Sequence, residues 1–430
     1  MHTIMKSRFT ILMMLALAVV LQLVSCKDDE FTATIFDTNE YPLDRTQYTF
    51  PLDSFCKVNF LKPYNMKFIY RMEYIGSDKD KNLTPASYEN SCKLAVLTKY
   101  LWHNVYEQIA AEHDIFLKRY SPRIIHVIGS KNLNTSSGTE TLGVTEGGTK
   151  VTLYRVNMLD PNDIENMNEY FFETMHHEFG HILDNTKLHP TTFNLLSNGL
   201  YNASTWNETP DSVAASQGFV TPYASSSYTE DWVETFGRYI TRDSITWRKM
   251  LGTAEYEWEL IDLPDFNKDD DVKENDYYAM LNAQLNVDID TIGYLKVDES
   301  GNGKHKLYRR MCLRDADDHV ILDDDGNVQW VANAIGARQI INQKVEFVRE
   351  YMKTQYGIDL DELRDLIQSR QFRKGADGRF LTETYYSTLT RRYEERQLNA
   401  ITYIDPATGK SVLDVLLDEI EEYKKFQINK

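Results

Sequence analysis

Two histidines one helical turn apart, His177 and His181, lie inside a run whose apolar residues recur with helical period: Phe171, Phe172, Met175, Phe179, Ile182 and Leu183. Side chains four residues apart on a helix stand above one another on the same face. A helix here must therefore bury one stripe and hold two imidazoles together on another side, a demand few architectures meet. Pro161 suits the entrance of such a helix, which is expected to begin near Asp163 or Ile164.

The residues between the histidines complete the pattern His177-Glu178-Phe179-Gly180-His181. Two imidazoles at this spacing can grip one ion at two corners of a tetrahedron, and Glu178 stands beside them without being a ligand. A bound divalent ion brings the pKa of its water to about 7, and the neighbouring carboxylate can take the released proton as the nucleophile attacks a carbonyl. Residue pattern and spacing thus point to a Zn2+ site with Glu178 as general base. His176 precedes the pattern on a different face and is expected to be structural, as is His126 within the β-branched run Arg123–Gly129.

A catalytic zinc ordinarily has three protein ligands and an open fourth place. The metzincin pattern would need glycine at 184 and histidine at 187, where the chain has Asp184 and Lys187, and His189 comes two residues too late. Glu230 and Glu234 lie one turn apart at the border of the apolar stripe of a second expected helix, Thr229–Ile240, with Gly237 leaving room on that edge. Asp184 shares the face of the two histidines and is a candidate to hold a ligand imidazole in its tautomer.

The chain outside these helices reads as mixed α and β. A helical pattern runs from Ser87 to Phe116, and Thr149–Met158 alternates as a strand. A later helix carries Ile340, Ile341, Val345, Val348 and Met352 on one side and stops at Gly357; Asp359 and Glu362 cap another. Asp265–Asp276 imitates a calcium loop, but Asp270 stands where its glycine belongs, so a solvated acidic loop is expected. Cys56, Cys92 and Cys312 show no C-x-x-C spacing and allow one disulfide at most.

The start of the chain is a targeting segment, with Lys6 and Arg8 followed by an apolar run from Ile11 to Val24 that is short for a membrane span. It ends in Leu23-Val24-Ser25-Cys26, which resembles the lipobox of bacterial lipoproteins, so residues 1–25 would be a signal peptide and Cys26 the acylated first residue. Residues 26–45 have the composition of a surface tether, residues 46–375 of a folded domain and residues 376–430 of a C-terminal extension. Removing residues 1–25 takes away two cations and no acid, moving the formal charge from −18 to −20. So acidic a protein is a poor nucleic-acid binder.

Two resemblances sharpen the reading. The stretch Tyr223-Ala-Ser-Ser-Ser-Tyr228-Thr-Glu230-Asp-Trp-Val-Glu234 is similar to the corresponding segment of the anthrax lethal factor-like toxins, which are gluzincins. That resemblance implies Glu230 as third ligand, Glu234 as an outer acceptor and Tyr223 as the hydroxyl that steadies the oxyanion, with Tyr228 as the other tyrosine in reach. More broadly, Pro63-Tyr64-Asn65, Tyr70-Arg71, Leu142–Gly148, Tyr154–Asn157, His176–His181 and Gly218–Tyr223 resemble the zinc-binding metallopeptidases known as substrate import-associated zinc metallohydrolase lipoproteins. The likeness implies an α+β, zincin-like fold with a mixed sheet, an active-site helix and additional C-terminal helices. It also implies a lipid anchor at the outer membrane, exposure at the cell surface and a setting beside outer-membrane nutrient-uptake components.

The leading expectation is a peptidase acting on polypeptide or glycopeptide, with the strand Thr149–Met158 offered to an extended substrate. A non-catalytic zinc-containing binding module and a zinc amidase acting on non-peptide amides are the alternatives.

Overall fold

The structure, a computed structural model, describes residues 43–72, 81–112, 115–133, 140–146, 148–262, 291–297, 303–387 and 392–428. Cys26, most of the expected tether and the acidic loop 265–276 lie outside the described residues. The chain divides into Met1–Asp44 and Arg45–Lys430, and the elements that follow belong to the second unit. Among the described residues no helix is long and apolar enough to cross a membrane.

Four short strands form a mixed sheet: β1 (Lys67–Ile69), β2 (Ile124–Val127), β3 (Gly143–Glu146) and β4 (Lys150–Leu153). Their order is β1-β2-β4-β3, parallel except where β3 runs antiparallel to β4, with Val144 opposite Thr152. Ile125, Val127, Val151 and Leu153 are buried, as β-branched and aliphatic residues should be in central strands. The alternation read over Thr149–Met158 stops at Leu153, because Arg155 turns into the left-handed region at φ 64° and a 3₁₀ turn follows at Val156–Met158. Strand β4 has a neighbour on each side, so its backbone is not available to a substrate; the edges are β1 and β3, and β3 is the one beside β4.

Helices α1 (Tyr88–Thr98), α2 (Glu173–Thr186), α3 (Tyr228–Thr241), α4 (Ala337–Tyr356), α5 (Leu360–Gln371) and α6 (Val412–Glu421) pack with the sheet into one hydrophobic cluster. Local chemistry sets their ends. Ser87 and Ser227 each accept a backbone N–H at 3.2 Å, from Asn90 and Glu230. Gly357 closes α4 at φ 65°, and Asp359 caps α5 through the N–H groups of Asp361 and Glu362. The helical pattern after Ser87 is α1, a π-turn at Lys99–His103 and a further helix Asn104–Ile109.

Residues 376–428 fold into the same compact unit as the residues before them. Leu413, Leu416 and Ile420 of α6 join the common core, Lys99 pairs with Glu419 at 2.5 Å, and the Ile428 N–H reaches the Arg45 carbonyl at 2.9 Å. Cys56, Cys92 and Cys312 are buried free thiols, so no disulfide joins them.

Candidate metal centre

Helix α2 is preceded by the short helix Ile164–Met167 and a π-turn, Asn168–Phe172, an insertion that shifts the register of the apolar stripe just before the site. Phe179, in the middle of the histidine pattern, is buried against Trp102, Tyr106 and Phe116 with ring centroids 5.0, 5.1 and 6.0 Å away. Anchoring Phe179 in the core leaves His177 and His181 on the other side, where their rings lie 4.8 Å apart.

Helix α3 crosses α2 at the closest approach two glycines allow. A Cβ on Gly180 would come within 3.1 Å of Val233, and one on Gly237 within 3.3 Å of the Glu173 carbonyl and 3.4 Å of the His177 nitrogen. This contact brings the first turn of α3 over the imidazoles. Glu230 occupies the third helical position, from which a glutamate in a capping box would reach back to the cap. Its carboxylate turns instead to the histidines: Oε2 lies 3.2 Å from His177 Nε2 and 3.3 Å from His181 Nε2.

That oxygen is buried and neither contact has hydrogen-bond geometry. Ligand atoms about 2.0–2.1 Å from an ion at the corners of a tetrahedron stand about 3.3–3.4 Å apart, so the spacing is that of one edge of a zinc shell. His177, His181 and Glu230 form a converging set of ligand atoms within 4.8 Å of one another. The orphaned oxygen and the two-nitrogen, one-carboxylate donor set fit a zinc ion.

Glu234, one turn further along α3, accepts from His177 Nδ1 at 2.6 Å and from the Thr221 hydroxyl at 2.5 Å. The Nδ1 proton held there leaves the Nε2 lone pair for a metal. Thr221 Oγ1 also accepts the Ala224 N–H at 3.0 Å, which ties the loop before α3 to the same carboxylate. The environment favours a cation: burial opposes charge on His177, but its contacts with Glu230 and Glu234 and the charges of Glu234 and Glu178 outweigh burial and raise its pKa. For Glu230 burial works upward, and the two imidazoles overcome it and hold the carboxyl far below its ordinary range.

Glu178 is buried, and Gly143 on the edge strand faces it: a Cβ there would stand 3.4 Å from Glu178 Oε1 and only 2.4 Å from Thr174 Cγ2. Tyr223 stacks on His177 with centroids 6.0 Å apart, and Trp206 meets Tyr223 edge-on at 4.8 Å. Tyr223 keeps 37% of its surface exposed, yet partial burial first, and then the charges of Glu230, Glu234 and Glu178, push its hydroxyl pKa up and keep it a proton donor. A cavity of about 610 Å³ opens on this side, walled by Leu142 and Gly143 of the edge, Tyr170 of the π-turn, Thr174, Trp206 and Arg238.

Two expected residues lie elsewhere. Asp184 does not hold a ligand imidazole; it accepts from the His189 backbone N–H at 2.7 Å and faces His189 Nδ1 at 2.9 and 3.0 Å. Asp184 shares the face of the two histidines, but it lies a turn beyond His181 near the end of α2, where the chain returning through His189 meets it. Tyr228 packs toward the His189 ring at 6.2 Å and is half exposed, away from the stacked pair of Tyr223 and His177. His176 is fully buried with Nδ1 at 2.8 Å from the Tyr106 hydroxyl. Thr221, Thr174 and Gly143 were not singled out individually in the sequence; Thr221 and Gly143 lay inside motifs whose separate roles only the fold exposes.

Two histidines and a glutamate whose ligand atoms converge beside a cavity form a set that can hold a metal ion. The chain belongs to the family described as "Putative zinc-binding metallo-peptidase", whose profile matches residues 45–361. It is therefore a member of a zinc-binding metallopeptidase family, and zinc is the metal of that family. A crystal structure at 2.10 Å of a protein of the same description from Bacteroides caccae is similar, with 26% identity and a TM-score of 0.48 over 78% of this chain and 95% of that one. No curated protein matches the chain.

Proposed function

We propose that the protein is a gluzincin-type peptidase with a zincin-like fold, in which His177, His181 and Glu230 hold zinc and Glu178 is the general base. The observation that carries this reading is the buried Glu230 oxygen lodged 3.2–3.3 Å from two imidazole nitrogens without a hydrogen bond. When bound, the ion acidifies a water and polarises the scissile carbonyl. Glu178 takes the proton of the attacking water and passes it to the leaving amine. Tyr223 donates its hydroxyl to the developing oxyanion. Glu234, steadied by Thr221, keeps the His177 proton on Nδ1.

Substrate polypeptide or glycopeptide adds to the edge strand β3, whose Gly143 packs closely on Thr174 and so brings the strand beside Glu178. The lipobox-like Leu23–Cys26 and the charged residues behind it support attachment to the outer membrane by a lipid on Cys26, facing outward, and the resemblance to the metallohydrolase lipoproteins supports a place beside nutrient-uptake components. A Cys26→Ala protein is then released from membranes, and retention of that variant in the membrane fraction would remove the anchor from this account.

The test of the chemistry is a digest of a peptide library by the zinc-loaded protein, beside Glu178→Gln with its zinc content measured. Loss of cleavage by about 10²- to 10⁴-fold at full zinc occupancy is expected. Equal cleavage by both proteins refutes Glu178 as base. Hydrolysis confined to acyl amides moves the protein to the amidases, and peptide binding without turnover moves it to the binding modules.

A further inference from the structure

The centre of the molecule contains an ion pair that touches neither ligand nor cavity. Lys344 on α4 and Asp231 on α3 are both completely buried, with Nζ and Oδ2 2.7 Å apart. The same ammonium donates to the Gly218 carbonyl at 2.7 Å and lies 4.1 Å above the Phe219 ring. Asp231 receives one further bond, from the Tyr201 hydroxyl at 3.0 Å.

A buried ion pair is a poor source of stability, since the desolvation of two charges consumes most of the attraction; fixing one arrangement out of several is a better-supported use. The partners of Lys344 show which arrangement is fixed. Asp231 follows Glu230 directly. Gly218, at φ +85°, opens the segment that three residues later carries Thr221 and two beyond that Tyr223. A Cβ on Gly218 would come within 2.9 Å of Ile340, so α4 already presses on this segment, and Asn333 adds a bond to the Ser216 carbonyl at 2.8 Å. One ammonium thus joins the two pieces of chain whose separation decides whether Thr221 reaches Glu234.

We propose that Lys344 is a positioning residue: it sets the spacing between the Gly218–Tyr223 segment and α3, and through it the bond from Thr221 to Glu234 and the hold of Glu234 on His177, which shares its shell with His181. This rests on the reading of those histidines and Glu230 as zinc ligands. Removing the tie leaves every ligand in place but slackens the shell, so turnover falls more than substrate binding does.

The experiment compares wild type, Lys344→Met and Lys344→Met/Asp231→Asn as full chains. Circular dichroism establishes that each is folded. Cobalt is substituted for zinc to read the ligand geometry from its visible bands, zinc affinity is measured by chelator competition, and kcat and KM are measured on a peptide cleaved by wild type. The expected result is a shifted cobalt spectrum, with kcat or zinc affinity lowered about 10- to 100-fold, as for other groups that orient ligands, and KM nearly unchanged. The double variant leaves no buried unpaired charge and carries the test where Lys344→Met does not fold. A folded variant with the wild-type cobalt spectrum, zinc affinity and kcat, and only a lower melting temperature, overturns the proposal. Glu230→Gln separates the two readings: if it leaves the cobalt spectrum untouched the ligand assignment fails, and if it alters the spectrum while both Lys344 variants do not, only the positioning role fails.

Discussion

The corner formed by His177, His181, Glu230 and Glu234 and the corner formed by His189 and Asp184 are neighbours along one helix, with Asp184 one turn past His181, and both contain imidazole against carboxylate. At the second, Asp184 bonds both the backbone and the ring of His189, Asn194 Oδ1 faces the other ring nitrogen at 3.0 Å, and Trp232 stacks on the imidazole at 4.8 Å. Nothing there is left over. At the first, one carboxylate oxygen is left without a hydrogen bond while two nitrogens converge on it. A histidine–carboxylate pair therefore does not by itself mark a metal site; what sets the first corner apart is that three ligand atoms from different residues converge with one of them unbonded.

The sharpest way to break this contrast is to remove one carboxylate from each corner. Glu230→Ala should lose zinc outright, a larger effect than the 10- to 100-fold that outer partners cost, whereas Asp184→Ala should bind zinc as wild type does. Metal content after dialysis decides it, and equal zinc in both proteins would erase the distinction. Next in size, Glu234→Gln should weaken zinc binding about 10- to 100-fold, because the amide can no longer anchor the Nδ1 proton as a carboxylate does. Chelator competition reads this, and an unchanged affinity would reduce the His177–Glu234 bond to packing. Smaller again, Asp184→Asn should cost about 1–3 kcal/mol of folding stability, the range for weakening a buried hydrogen-bonded partner, with zinc affinity intact. A denaturant titration showing no loss would leave the second corner without a structural role.

How much of this was legible follows from what each residue needs. The helix and its two imidazoles were readable because spacing alone puts them on one face, and Phe179 fills the buried stripe as its period demands. Glu230 and Glu234 were legible as a pair one turn apart, but their order of roles came from resemblance, since nothing in α3 itself says which carboxylate meets the Nε2 atoms. Asp184 was misplaced because a helical face is a local property, whereas the partner it meets, His189, comes from the chain turning back. The strand after Thr149 was read too long because alternation continues through Arg155, and a left-handed residue leaves no trace in hydropathy. Lys344 was illegible for the opposite reason: a lysine in an amphipathic helix reads as surface, and only the fold shows Asp231 waiting for it.

Histidines without carboxylates give the contrast its finest test. His103 is buried between Phe60, Tyr64 and Trp102, with both ring nitrogens lacking a hydrogen-bond partner. Burial alone brings its pKa from 6.5 down to about 3. Between those values the unfolded chain binds a proton that the folded chain refuses, so the stability tied to neutral His103 is complete above about pH 6.5 and is lost as the pH falls. The loss approaches about 1.4 kcal/mol for each pH unit below that point. His103→Phe keeps an aromatic ring among aromatic neighbours and removes the titration, so the difference in stability between pH 7 and pH 5.5 should shrink by about 1 kcal/mol. The measurement belongs on metal-free protein, where acid cannot also act by displacing zinc from His177 and His181. His177→Phe, which removes an imidazole whose pKa the neighbouring carboxylates raise, should not flatten the acid limb in the same way; if it does so as strongly as His103→Phe, surroundings do not separate the two kinds of histidine.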